Sequence, residues 1–196
     1  MKKLYLCLFL FQLIAFSASA ELYRGYIITL NGYHLTGQIG EIYLNEDQKH
    51  VVFVNDFGTP YMISPRLIAG FAYEIDKELV TYQSIVVNKS WAFLKVLAQG
   101  EGLKLLKTPE VEIEITYDEM GLNTQTLRGN RYYLQLKRER PVKVKRWGFR
   151  KQMRQLFQDR APELAEKIGE KGYRFKNLKK IAKEYIDEYE ITRFIM

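Results

Sequence analysis

Few side chains in this sequence are suited to act as nucleophiles, proton donors or metal ligands. Beyond residue 20 the chain contains two histidines, His34 and His50, three serines and no cysteine. None of these residues falls in a G-x-S-x-G, S-x-x-K or H-E-x-x-H motif, and no glycine-rich loop is present to bind a phosphate group. The lack of cysteine excludes disulfides and thiol catalysis in this part of the chain. We therefore predict a protein without enzymatic activity and without a cofactor.

A metal site would have to combine a histidine with carboxylates, or use an oxygen-rich turn. His34 lies in a predicted strand, and His50 begins another strand beside Glu46 and Asp47. Neither histidine has a second ligand at the spacing typical of zinc sites, so both are interpreted as solvated strand residues. The turn Asn45-Glu46-Asp47 offers oxygen ligands for weak calcium binding but lacks the spacing of a calcium loop, which favours an ordinary polar turn. We predict no metal site.

A pair of carboxylates is the one catalytic arrangement that the sequence leaves open. Glu112 and Glu114 share one face of the alternating segment EVEIEITYDE, about 7 Å apart by strand geometry. Glycosidases use two such groups, which can also come from distant parts of a chain. Glutamates on the polar side of an alternating strand are more often simply solvated. An undetected carbohydrate-active hydrolase therefore stays a second alternative.

The segment KRERPVKVKRWGFRKQMR, residues 137–154, concentrates positive charge. Its nine Lys and Arg against Glu139 alone give about +8, which exceeds the formal net charge of +7 for the whole chain. Val142 and Val144 alternate with lysines, and the later basic residues recur at helical spacing away from Phe149, so one interpretation is a solvated surface. The other interpretation is an anion-binding surface beside Trp147, an amphipathic anchor. Its candidate residues are Lys143, Lys145, Arg146, Arg150, Lys151 and Arg154.

The first twenty residues have the layout of a secretory signal peptide. Lys2 and Lys3 precede an apolar run from Leu4 to Phe16, and Ala18-Ser19-Ala20 is a small-residue cleavage signature. The apolar run is shorter than the roughly 20 residues that span a bilayer as a helix. We expect cleavage before Glu21, no transmembrane span afterwards, and export to the periplasm, the outer membrane or the medium. Export would exclude intracellular nucleic acid as a partner.

The elements that must position these residues are predicted to be strands first and helices last. Asn31-Gly32 between apolar runs indicates a hairpin, and Asp56-Phe57-Gly58 indicates a second one. WAFLKVLAQG is interpreted as a strand whose hairpin partner is LKLLK. We predict an α+β chain: an antiparallel β domain over residues 21–147, forming a sandwich or partly closed barrel of roughly eight to ten strands, and then three short helices.

The helical C-terminal subdomain is predicted over residues 148–196, packed on the sheet. Phe149, Met153, Leu156 and Phe157 share one helical face. Asp159 is expected to cap the second helix, which would carry Pro162 in its first turn, bury Leu164 and Ile168, and end at Gly172. Asn177 is expected to cap the third helix, whose inner residues would be Leu178, Ile181, Ala182, Tyr185 and Tyr189.

The order of the segments GYIITLNGYHLTGQI, SPRLIAGFAY, WAFLKVLAQGEGLKLL and FRKQMRQLFQDRAPELAEKI resembles a group of uncharacterised exported proteins of Gram-negative bacteria. In that group a β-rich half precedes a short helical end. The resemblance implies an envelope location and the order of strands and helices. It implies no activity and assigns no role to any residue.

The function predicted from these observations is that of a non-enzymatic envelope protein, an accessory or ligand-binding domain of unknown partner. The alternative is a peripheral protein that binds anionic lipid, lipopolysaccharide or polysaccharide through the basic residues from Lys143 to Arg154. Three structural features would discriminate. Two facing carboxylates in a pocket would favour a hydrolase. An exposed basic face would favour an anion-binding protein, and a deep apolar cavity would favour binding of a small lipophilic ligand.

Overall fold

The architecture was obtained as a computed structural model, which describes residues 21–45, 48–118, 121–137 and 139–190. The proposed signal peptide, most of the Asn45–Asp47 turn and the last six residues lie outside this described part. The elements are β1 Tyr23–Thr29, β2 His34–Asn45, β3 Gln48–Asn55, β4 Pro60–Ile63, β5 Ile68–Ile75, β6 Glu78–Val87, β7 Ser90–Gln99, β8 Leu103–Lys107, β9 Val111–Asp118, β10 Gly121–Arg128, β11 Tyr132–Leu136, β12 Val142–Lys143, α1 Phe149–Phe157, α2 Pro162–Lys167 and α3 Leu178–Glu184. A 3₁₀ turn, Phe175–Asn177, precedes α3, and a π-helical segment, Tyr185–Glu190, follows it.

The described strands form one twelve-stranded sheet in the order β10-β9-β2-β1-β5-β6-β7-β8-β11-β12, with β3 and β4 paired beyond the other edge of β2. The sheet is mostly antiparallel, in agreement with the predicted class, but β2 and β9 run parallel. The expected sandwich or partly closed barrel of eight to ten strands is wrong, because the sheet is single, does not close and has more strands. The count was too low because strands such as β10 lack apolar alternation.

The connection between β8 and β9 forces this sheet to curl. These two strands are consecutive in the chain, yet at least four strand positions separate them in the sheet. In a flat sheet that separation is about 19 Å. The chain from Lys107 to Val111 reaches only about 14 Å when fully extended. The two parts of the sheet therefore turn toward each other, and β3 comes into contact with β7 although the two strands are not paired.

The inner face of the curled sheet contains its own apolar core. Buried side chains from six strands meet there, with Ile39 and Phe93 fully inaccessible and Phe71 stacked on Tyr82 at 4.7 Å between ring centroids. Gly40 and Glu41 lie at an irregularity in the pairing of β2 with β3, where the long strand β2 bends. The members of this core are Ile27, Ile39, Ile42, Val51, Phe53, Ile68, Phe71, Val80, Tyr82 and Phe93.

The helices pack against the opposite end of the sheet. Leu103 and Leu105 of β8 and Leu134 of β11 form one buried cluster with the helical segment. The helical residues of this cluster include those predicted from periodicity: Phe149, Met153, Phe157, Leu164, Ile168, Leu178, Ile181, Ala182 and Tyr185. Because each helix is at most nine residues long, this shared core and not helix propensity stabilises the helices. No helix in the described ranges is long and apolar enough to cross a bilayer.

Two predicted helix ends differ from the structure. Ala161, not Asp159, is the N-cap of α2, and Pro162 occupies the first turn as predicted. The helix ends at Lys167 and not at Gly172, and Gly169 follows with φ of +103°. Gly172 also has a positive φ, +90°, but it lies beyond the helix end. Asn177 is the N-cap of α3 but makes no side-chain capping hydrogen bond. At the end of α2, Ile168 has an extended backbone and is fully buried in the core.

Strand β9 does not have the simple polar face that its alternation predicts. Glu112 is buried, 8 % exposed, and Lys49 of β3 donates a hydrogen bond to its Oε1 at 2.5 Å. Val111 and Tyr117, which alternate with the glutamates and would lie on the apolar face of the strand, are exposed. The interpretation of Glu112 as a solvated residue is therefore wrong. Its carboxylate is an ion-pair partner that joins β9 to β3 across the bend of β2.

We expect Lys49→Met to lower the free energy of unfolding by about 2 kcal/mol, because it leaves the Glu112 carboxylate buried without its cation. The double variant Lys49→Met/Glu112→Leu should recover most of that loss, since no unpaired charge remains. Urea denaturation followed by circular dichroism measures both values. Lys179→Met, at an exposed position of α3, is the control and should change stability by less than about 0.5 kcal/mol. Equal stabilities of Lys49→Met and this control would show that the pair is unimportant.

Candidate anion-binding surface

The basic residues lie around a sharp corner between β12 and α1. Val144 and Phe149 are buried on its two sides, 4 % and 7 % exposed, and both belong to the core shared by sheet and helices. The residues between them, Lys145 to Gly148, are exposed. The chain is thus anchored before and after the corner, and the intervening side chains are directed to solvent. We call residues Lys143 to Lys151 the basic corner.

The side chain of Gln152 fixes the shape of the basic corner. Its amide nitrogen donates to the backbone oxygen of Lys143 at 2.9 Å, and its amide oxygen accepts from the backbone N–H of Lys145 at 2.9 Å. Gly148 adopts the left-handed conformation, φ of +77°, which turns the chain into α1. Because both ends of the Gln152 amide bind backbone, the corner is ordered before any partner arrives.

Trp147 projects from this ordered corner with 90 % of its surface exposed. An indole of this size normally contributes a large apolar area to a core or an interface. Here the chain is held on both sides by buried residues and by Gln152, and the ring still points outward. The other tryptophan, Trp91 on β7, is 36 % exposed. Trp147 is therefore the most exposed aromatic side chain next to the predicted anion-binding residues.

Five of the six predicted anion-binding residues are exposed on the basic corner, namely Lys143, Lys145, Arg146, Arg150 and Lys151. Within the part of the chain that the structure describes, none of the five forms a salt bridge. The first turn of α1 contains no acidic residue, and Gly148 provides no side-chain cap. The positive end of the helix dipole therefore adds to the charge of the corner.

The sixth predicted residue, Arg154, is turned toward α2. Its Nη2 donates to the backbone oxygen of Glu166 at 3.0 Å, and its Nε is buried. A cation at the C-terminal end of a helix satisfies free carbonyl groups and interacts favourably with the dipole. Arg154 thus links α1 to α2. Arg150 also lies against this region, because its side chain passes over Gly169, where a Cβ would be 2.9 Å from the Arg150 Cδ.

Three further exposed cations, which sequence spacing did not reveal, lie in segments that contact α1. Phe175 packs edge-on against Phe149 at 5.7 Å, which brings the exposed residues Arg174 and Lys176 beside the start of α1. The turn from Gly169 to Tyr173, which contacts Arg150, carries Lys171 together with one acid, Glu170. These residues lie some twenty positions away in the chain, and only tertiary packing joins them to the basic corner.

The residues considered for catalysis or metal binding are not brought together. His34 stacks on Tyr26 at 4.4 Å between ring centroids, and His50 lies on β3. The described residues contain no group of three His, Cys, Asp or Glu side chains arranged to hold a metal ion. Glu112 is paired with Lys49, and Asn45–Asp47 falls mostly outside the described part.

The interior of the curled sheet has a cavity at each end. One, of about 360 Å³, is lined by Tyr23, Tyr73, Tyr82, Lys95, Glu41 and Glu110 among others. A hydrogen bond from Lys107 and the charge of Lys95 lower the pKa of Glu110, and the Tyr43 hydroxyl donates to Glu41. A carboxylate whose pKa is lowered by lysines is a poor general acid. Three carboxylates, Glu21, Glu41 and Glu110, line this cavity, and each accepts a hydrogen bond from a neighbouring tyrosine or lysine.

The second cavity, of about 480 Å³, opens at the turns of the β1–β2 and β3–β4 hairpins. Ile27, Phe53 and Ile63 form its floor, and Leu35, Phe57 and Tyr61 form a rim that is half-exposed or more. Thr36 donates to Asp56 at 2.6 Å on its polar side. This cavity is the predominantly apolar one of the two.

No model of a protein family, no curated protein and no solved structure matches this chain.

We expect Gln152→Ala to lower the free energy of unfolding by about 1–2 kcal/mol, because two backbone groups at the basic corner lose their hydrogen-bond partners. The neighbouring exposed residue gives a matched control, Gln155→Ala, for which the change should stay below about 0.5 kcal/mol. Chemical denaturation of the two variants provides the comparison. Indistinguishable stabilities would mean that the Gln152 amide does not hold the corner.

Proposed function

We propose that this chain is an exported, non-catalytic protein that docks peripherally on an anionic lipid surface of the cell envelope through the basic corner. The observation that carries this proposal is Trp147, 90 % exposed on a fixed corner among five exposed cations. The export component rests on the signal-peptide layout of residues 1–20.

Tryptophan and cations have complementary roles at a membrane surface. An indole is favoured at the boundary between head groups and acyl chains, where its ring is partly apolar and its N–H stays hydrated. Each Lys or Arg near an anionic membrane contributes about 1 kcal/mol, and this attraction weakens with salt. Five cations and one indole therefore support reversible association that depends on ionic strength. Nucleotide or phosphoprotein binding would call for a shaped phosphate site, whereas the cations of the basic corner are exposed to solvent.

The geometry also lowers the cost of association. A flexible loop would lose conformational entropy when its side chains are immobilised at the surface. The corner is already held by Gln152, Val144 and Phe149, so much of that ordering is complete in the free protein. The long lysine and arginine side chains stay mobile and can adapt to scattered phosphate groups.

The variant Lys143→Gln/Lys145→Gln/Arg146→Gln/Lys151→Gln tests the charge component. Its binding to vesicles of phosphatidylglycerol and phosphatidylcholine at low salt should be at least about a hundredfold weaker than that of the unmodified protein. Trp147→Ala should weaken binding by about tenfold and leave its salt dependence unchanged. Co-sedimentation measures both effects. Lys179→Gln/Lys183→Gln, on the exposed side of α3, is the control for lost charge and should bind nearly normally. Failure of the unmodified protein to bind these vesicles would overturn the proposal.

A second candidate function has an observation of its own, the apolar cavity of about 480 Å³. That volume lies within the range of small-molecule sites, and its walls are mainly aliphatic and aromatic. It supports the ligand-binding domain predicted from the sequence, with a small lipophilic molecule as the ligand. The alternative of a carbohydrate-active hydrolase is less favoured, because the three glutamates that line the other interior cavity are each bound by a neighbouring tyrosine or lysine.

Binding of the fluorescent apolar probe N-phenyl-1-naphthylamine tests this candidate. Leu35→Arg places a charge on the cavity rim and should weaken probe binding by at least about tenfold. Leu67→Arg introduces the same charge at an exposed leucine that does not line the cavity, and should leave binding unchanged. Equal binding by the two variants would exclude the cavity as the site.

A further inference from the structure

Among the described strands, β4, β10 and β12 each have one unpaired edge. Strand β12 has two residues, and β4 has four and begins with Pro60, which lacks a backbone N–H. Strand β10 is different, because eight consecutive residues pair with β9 in an unbroken register. It is therefore the longest regular edge of the described sheet.

Apart from Arg128 at its end, β10 shows none of the features that normally protect such an edge, as far as the described residues are concerned. Folded proteins block edge strands with proline, lysine, bulges or a covering segment. The segment from Gly121 to Leu127 contains no proline and no charged residue, and its register shows no bulge. Every residue of β10 is exposed except Leu127, which is half-buried. An unprotected regular edge is a template for a further strand.

The hydrogen-bonding direction of β10 follows from its pairing with β9. Asp118 pairs with Gly121, the separation at which a turn closes with a carbonyl-to-amide hydrogen bond. Hydrogen-bonded and non-hydrogen-bonded pairs alternate along an antiparallel ladder. The backbone groups of Leu122, Thr124 and Thr126 therefore point away from β9, toward the open edge.

We propose that β10 of a second copy of this chain pairs antiparallel with this edge, so that the two sheets join about a two-fold axis at Thr124. In this register Thr124 lies opposite its own counterpart, and Leu122 lies opposite Thr126. All the outward backbone groups at these positions then find partners across the interface. A two-fold axis requires such a self-complementary surface.

The side chains of β10 are compatible with a second copy in the same register. Because the segment 121–127 is uncharged, self-pairing brings no like charges opposite each other. Asn123 lies opposite Gln125, two amide side chains of similar chemistry. Leu127 lies opposite Gly121, which has no side chain to collide with it. The interface is small, so the dimer is expected to be weak and to depend on protein concentration.

Charge complementation at Thr124 tests both the dimer and its register. Thr124→Lys and Thr124→Glu each place like charges directly opposite at the axis and should weaken self-association about fivefold. An equimolar mixture of the two should associate about tenfold more strongly than either variant alone, because opposite charges then meet. Thr124→Ser is the control and should dimerise as the unmodified protein does. Sedimentation equilibrium over a concentration series measures each association constant.

Because Thr124 is exposed, the substitutions should leave the fold intact, which circular dichroism would verify. A change in the association constant can then be attributed to the interface. Concentration-dependent dimers together with complementation support the pairing. A protein that stays monomeric up to about 1 mM overturns it, since even a weak pairing would be populated there. Dimers that are indifferent to charge at Thr124 overturn it too, because they use another surface.

Discussion

The three-residue connection between β8 and β9 constrains the rest of this structure. A chain this short cannot join two strands that lie so far apart in a flat sheet, so the sheet has to bend around its own side chains. The bend creates an inner face, and that face has a core of its own, separate from the one under the helices. It also leaves openings at both ends, one surrounded by tyrosines and ion pairs and the other by aliphatic and aromatic residues. Both cavities thus result from the strand order of the sheet and the short connection between β8 and β9.

The helical end depends on a different interaction, the burial of one apolar stripe from each helix against β8 and β11. Because all inward positions are occupied by apolar groups, the many cations of this segment are displaced to its outer side. At the basic corner, Val144 and Phe149 are buried five positions apart and hold the chain in place, so all the residues between them are exposed to water. Charge density and exposure of Trp147 therefore have one structural cause.

The sequence allowed the strand-then-helix order, the two tight hairpins and the inner residues of all three helices to be predicted, because these depend on local periodicity and turn residues. It did not allow the single curled sheet or the parallel contact between β2 and β9 to be predicted, since neither leaves a local pattern. The interpretation of Glu112 as a solvated residue was wrong for the same reason. Alternation indicates on which face of a strand a side chain lies, but it does not reveal an ion pair with a lysine that is distant in the sequence. Five of the six candidate cations are exposed as the anion-binding hypothesis requires, whereas Arg154 binds the end of α2. Arg174 and Lys176 could be added only when packing brought Phe175 to Phe149.

The parallel contact of β2 with β9, in which Tyr43 pairs with Ile113, has a kinetic consequence. Most other pairings in the sheet join neighbouring strands through short turns, and such contacts form early during folding. The β2–β9 pairing closes a long loop and recovers its entropic cost only when the intervening hairpins are in place. The curl is therefore expected to be completed late, and until then the inner apolar face is open to water and to other chains.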